Sequence, residues 1–182
     1  TAAENAAFWT RAQFENDADI GRRNQRWKYL GSMPTRMGND RFVCFHASPR
    51  RPINEYVFPD DIYSSPQKMA ALFDRVEKIC FLGHTHVPGV FVPDPDFYAP
   101  EEVSYRYLVT EERAMINVGS VGQPRDRNPD ASYVILQDPD EEDDARGPGG
   151  AVDFVRLPYD VQTTVGKIKA IDALDNFLGA RL

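Results

Sequence analysis

The chain has three histidines, and each stands where an apolar run gives way to a turn. His46 closes Phe42-Val43-Cys44-Phe45, while His84 and His86 follow Ile79-Cys80-Phe81-Leu82-Gly83. A short run that is apolar on both faces reads as a buried strand. Side chains just beyond such strand ends face the crevice where open α/β sheets bind ligands. Imidazole is a ligand for borderline divalent metals. In extended backbone the two rings of His84-Thr85-His86 share one face, which suits metal ions about 3.5–4 Å apart. The placement predicts metal ligation by His46, His84 and His86, against the plainer alternative of hydrogen-bonded structural histidines.

Other chemistries fit less well. Gly119-Ser120-Val121-Gly122 lacks the G-x-S-x-G order of a nucleophile elbow, and neither a P-loop nor G-x-G-x-x-G occurs. Cys80, inside an apolar run, has no electropositive setting to make it a reactive thiolate. The segment Asn117-Val118-Gly119-Ser120-Val121-Gly122-Gln123-Pro124-Arg125-Asp126 leaves a strand through two glycines. Such a turn can offer backbone N–H groups and an arginine to an anion. Gly119, Ser120 and Arg125 are thus candidate substrate-binding residues, as is Arg50, with an ordinary loop and a solvated arginine as the alternatives. No catalytic side chain is identifiable within the chain.

The elements that must position these residues follow from periodicity. Residues 2–14 are Ala-rich with Phe8, Trp9 and Phe14 at near-helical spacing, and a shorter helix is expected over 20–30. Gly38-Asn39-Asp40 is turn chemistry before a buried strand ending at His46. Ser65-Pro66 supplies a cap and a first-turn proline for a helix through Lys78, with Met69, Leu72, Phe73 and Val76 as its apolar stripe. Ile79 to Leu82 is a second buried strand. Short runs at 89–92, 105–109, 114–118, 131–137 and 151–157 read as antiparallel strands. Asp160 caps a helical tail over 161–180 that Gly166 and the region of Asp172 are expected to divide. Helix, buried strand, helix, buried strand and then a meander argue for a layered α/β sandwich in a single domain of 1–182.

Composition bounds the class. At 182 residues, with 42% hydrophobic and 27% charged residues, the chain can bury a core and is not of disordered type. Nothing approaches the 18 or so apolar residues needed to cross a bilayer. The net charge of −7 is concentrated in residues 138–146, which hold six acids and one arginine, within an expected mobile connection over 138–150. Residues 11–51 carry nine Lys or Arg against four acids, which reads as solvated surface rather than a nucleic-acid site. The two cysteines form no C-x-x-C pair, so a reducing, cytoplasmic setting with no membrane partner is expected.

Taken together, His46-Ala47-Ser48-Pro49-Arg50, Gly83-His84-Thr85-His86-Val87-Pro88 and Asn117 through Asp126, followed by Pro158-Tyr159-Asp160, resemble the calcineurin-like metallophosphoesterases, most closely their small bacterial phosphodiesterase and phosphatase branch. The resemblance runs along essentially the whole chain. It implies a four-layer α/β/β/α sandwich with two divalent metal ions (Mn, Fe, Zn or Ni) and hydrolysis of phosphomonoesters or phosphodiesters by a metal-bridging hydroxide. By position, His46 and His84 resemble ligands of the second metal and His86 a ligand of the first.

The family's D-x-H, G-D and G-N-H motifs, which bring its remaining ligands and a catalytic histidine, are not matched here. No Asp stands two residues before any histidine, no Gly-Asp dipeptide occurs, and Gly38-Asn39-Asp40 lacks the histidine. The expectation is therefore a C-terminal portion, lacking the fold's first strands, whose activity needs its own leading segment as partner. Three imidazoles cannot hold a two-metal site without hard oxygen ligands. The competing expectations are a protein-binding scaffold of the same fold and a single three-histidine zinc site.

Overall fold

The computed structural model describes residues 1–139 and 149–182. Of the expected acidic connection over 138–150, residues 140–148 lie outside the described residues. The chain divides into two compact units, residues 1–34 with 159–182, and residues 35–158.

The first unit is helical. α1 (Ala2–Glu15) begins with a capping box in which Thr1 and Glu4 satisfy each other's exposed N–H groups. α2 (Ile20–Gly31) is capped by Asp19, and α5 (Val161–Lys169) by Asp160, whose carboxylate accepts from the Thr163 N–H at 2.9 Å. α6 (Asn176–Ala180) closes the chain. Phe14 and Trp27 join α1 to α2 edge to face at 6.0 Å. Gly166 does not divide the tail. It lies inside α5, and the break comes at 170–175, because one glycine costs a helix only about 1 kcal/mol.

The second unit stacks a helix on two sheets. The larger sheet runs β1 (Met37–Gly38), β2 (Phe42–Cys44), β3 (Ile79–Leu82), β7 (Ala114–Asn117), β4 (Gly89–Val92), β5 (Asp96–Tyr98) in spatial order. The smaller runs β6 (Arg106–Leu108), β9 (Ala151–Leu157), β8 (Ala131–Gln137). Side-chain alternation assigns the faces. Cys80, Leu82, Phe91 and Met115 meet Met69, Leu72 and Phe73 of α4 (Pro66–Phe73) and Val76 just beyond it. Ile79, Phe81, Val90 and Ile116 point the other way, onto Val152 and Phe154 of β9. The short α3 (Asp61–Ser64) precedes α4.

The layered α/β reading stands, with three corrections. The run at 114–118 is not part of an antiparallel meander: β7 inserts between β3 and β4, parallel to β3, as its four fully buried residues allow. The helix expected through Lys78 ends at Phe73, with Asp74 closing it. Ser65 makes no side-chain cap there, and Pro66 alone marks the start.

Between the sheets, Phe42, Cys44, Phe81, Val118, Val134 and Leu136 line a groove of about 570 Å³. All but Phe81 are only half-buried there. Among the described residues no helix is long and apolar enough to cross a membrane.

Candidate functional site

The β2–β3 ladder continues beyond the strand ends and thereby builds the site. The Phe45 N–H donates to the Phe81 carbonyl at 3.0 Å, and the Gly83 N–H to the His46 carbonyl at 3.0 Å. This pairing sets His46 beside His84, with His46 Nε2 2.9 Å from His84 Nδ1 and the ring centroids 4.8 Å apart. The other ring nitrogen, His84 Nε2, is buried without a hydrogen-bond partner among the described residues. Burial pushes the His84 imidazole below its ordinary range, and the charges of His46, His86 and Arg125 act in the same direction. In the neutral tautomer whose Nδ1–H donates to His46 Nε2, His84 Nε2 is an acceptor nitrogen, the form in which histidine binds metal.

His84 and His86 do not share an extended face, as the spacing suggested. Both have left-handed backbone, with φ of 62° and 61°. The Thr85 N–H donates back to the Gly83 carbonyl at 2.7 Å, closing a three-residue turn around His84. That turn sends His86 elsewhere, and its Nδ1 donates to the Gln123 carbonyl at 2.7 Å. In the neutral ring this fixes Nε2 as the acceptor nitrogen. Positive φ at two non-glycine residues costs about 1–3 kcal/mol each, so the surrounding contacts must hold the loop.

Asn117, at the end of β7, does so. It is 1% exposed, donates to the Gly83 carbonyl at 2.8 Å and to Thr85 Oγ1 at 2.6 Å, and accepts from the Gly119 N–H at 2.9 Å. One buried amide thus ties the histidine turn to the Gly119–Arg125 loop. Gly119 has φ of 77°, and a Cβ there would collide with Ser132.

The expected anion contacts divide. The Gly119 N–H is taken by Asn117, and Ser120 Oγ accepts from the Gln123 N–H at 2.9 Å. The Arg125 N–H donates to the His86 carbonyl at 3.0 Å, and its exposed side chain lies near enough for its charge to act on His84. Arg50 is held in an ion pair with Glu55, a buried residue that also accepts from Ser48 Oγ at 2.5 Å. Arg50 therefore braces the loop after His46. Glu55 and Asn117 were not singled out from sequence. A carboxylate between Ile53 and Val57, and an amide ending a buried strand, were the available signals.

Burial raises the Glu55 carboxyl, but hydrogen bonds from Arg50 and Ser48 outweigh it, leaving the group below its ordinary 4.5. A lowered folded-state value means stabilisation that is complete above 4.5 and is lost as pH falls through the folded value. Glu55→Gln is expected to cost about 1–3 kcal/mol at pH 7 and to flatten the acid limb of thermal stability. Parallel wild-type and variant curves below pH 4.5 would remove Glu55 from that account.

Among the described residues no three His, Cys, Asp or Glu side chains gather as a metal-holding group. The donor set fits a metal in part: His46 and His84 converge, and the buried Nε2 lacks another use, while the hard-oxygen ligands are not gathered. A closed three-histidine zinc site is likewise not assembled among these residues.

No family model matches the chain. It is 32% identical over 165 residues to the uncharacterized protein MJ0912 of Methanocaldococcus jannaschii, an alignment covering 88% of this chain and 60% of that protein. The crystal structure of a metallophosphoesterase from Sphaerobacter thermophilus is similar at a TM-score of 0.71 and 30% identity, over 97% of this chain and 66% of the other. The chain thus spans about 60% of the length of the M. jannaschii relative. Fold and sequence are similar to that metallophosphoesterase along nearly the whole of this chain, which supports its resemblance to the calcineurin-like superfamily.

Proposed function

We propose that the protein hydrolyses phosphoesters with bound divalent metal, that His46, His84 and His86 supply nitrogen ligands, and that oxygen ligands come from outside the described residues. The observation that carries this reading is the His46–His84 contact with a buried His84 Nε2 that has no hydrogen-bond partner among the described residues. The groove between the sheets, lined by six apolar residues and by the polar Asn39, Arg41 and Asp138, and the greater length of the relatives support completion of the fold by further chain.

A bound divalent ion supplies Lewis acidity that offsets charge on a phosphoryl oxygen. The protein's own residues position the reaction. The Gln123 carbonyl orients the His86 ring, Asn117 fixes the loop that carries both His84 and His86, and Arg125 brings positive charge to the rim, where a phosphate oxygen can accept from its guanidinium. Burial lowers the basicity of the His84 imidazole, which favours the neutral ring that a metal requires.

The test is metal content and hydrolysis of bis(4-nitrophenyl) phosphate by the full-length gene product supplied with Mn, Ni, Zn or Fe. Retained metal and turnover are expected, with the 182-residue chain alone inactive. A full-length protein that is folded yet silent with all four metals overturns the reading.

A further inference from the structure

Beside the histidine pair stands a column of rings that the phosphate chemistry does not use. The Tyr56 ring lies 4.2 Å from that of His84, tilted 34°, and Phe58 stacks on Tyr56 at 5.4 Å with the planes 1° apart. Tyr56 and Phe58 are 44% and 45% exposed, whereas Glu55 and Val57 between and before them are buried at 9% and 2%. This period of two is that of an extended segment, with its inward residues anchored and its outward ones offered to solvent.

The backbone is fixed on both sides. Lys68 Nζ donates to the Tyr56 carbonyl at 2.7 Å and to Asp61 Oδ2 at 2.6 Å, and that same oxygen accepts from the Phe58 N–H at 2.7 Å. Glu55 is held by Ser48 and Arg50. Two large apolar rings are therefore presented by a preorganised strap next to the site, although their own burial would be favourable.

We propose that the Tyr56–Phe58 pair is a stacking subsite for a nucleobase carried by the phosphoester substrate. This rests on the phosphoesterase reading of the histidine site. Stacking is the one interaction that parallel exposed rings offer to any base, since every base has a π-face. The phosphate end is recognised at the histidines and Arg125, the base at Phe58, and the absence of a hydrogen-bonding group on the Phe58 ring makes the subsite tolerant of base identity.

The experiment is calorimetric titration of the manganese-supplied full-length protein with adenosine 5′-monophosphate and with ribose 5-phosphate. Base stacking corresponds to about a 5- to 150-fold gain in affinity, so the nucleotide should bind tighter than the sugar phosphate by a factor in that range. Phe58→Leu should abolish most of this advantage and leave ribose 5-phosphate within about twofold of wild type, whereas Phe58→Trp should keep or increase it. Equal affinity for the two compounds in wild type, including no binding of either, overturns the subsite, as does equal weakening of both by Phe58→Leu. A nucleotide preference retained by a protein that does not hydrolyse bis(4-nitrophenyl) phosphate supports the subsite while sinking the hydrolase reading, so the two failures are distinguishable.

Discussion

His84→Ala in the full-length protein is expected to lower kcat/KM for bis(4-nitrophenyl) phosphate by more than about a hundredfold, since loss of even an outer-shell partner of a metal site typically costs 10- to 100-fold. Metal retained after dialysis should fall with it. Stability should respond differently. In the metal-free protein the substitution removes a buried nitrogen that lacks a hydrogen-bond partner among the described residues. An unsatisfied group of that kind costs about 1–3 kcal/mol, which offsets part of the packing lost with the ring. Metal-free wild type and variant should therefore unfold at similar temperatures, while added metal raises the melting temperature of wild type alone. Equal thermal shifts of wild type and variant with metal would show that His84 Nε2 is no ligand.

Asn117→Ala is expected to destabilise the chain by about 3 kcal/mol, because it strands the Gly119 N–H and takes one hydrogen bond each from the Gly83 carbonyl and the Thr85 hydroxyl in a region where Asn117 and Thr85 are both 1% exposed. For a chain of this size that corresponds to roughly 6–12 °C in Tm. Activity should fall further than stability alone explains, by about 10- to 100-fold at a temperature where the variant is folded, because the turn that aims His84 loses its brace. Asn117→Asp should be at least as damaging. A carboxylate can still accept from Gly119 but cannot donate to the Gly83 carbonyl or to Thr85, and it brings a buried charge. Melting curves and steady-state rates on the same preparations check both statements. If Asn117→Ala melts with wild type, the amide is not what holds the two loops together.

Much of this molecule is legible along the chain. The apolar run before His84 marks β3 because a strand buried on both faces leaves no polar position to interrupt it, while the run before His46 marks β2, where Val43 is buried but Phe42 and Cys44 on the other face are only half-buried, against the expectation of a fully buried strand. Asp160 announces a helix start through its own side chain, a local effect that needs no distant partner. The exposed pair of Tyr56 and Phe58 was not legible, since aromatic residues alternating with Glu55 and Val57 look the same whether the rings face the core or water.

Residue types and their order determined the strand-end histidines, the layered α/β class and the likeness to metallophosphoesterases. Tertiary structure alone decided that β7 lies between β3 and β4, that His84 meets His46 while His86 turns to Gln123, and that Arg50 serves Glu55. The reason is physical. Strand and cap signals are carried by neighbours in sequence, whereas ring-to-ring contacts and left-handed φ values at His84 and His86 are imposed by partners such as Asn117, more than thirty positions away along the chain.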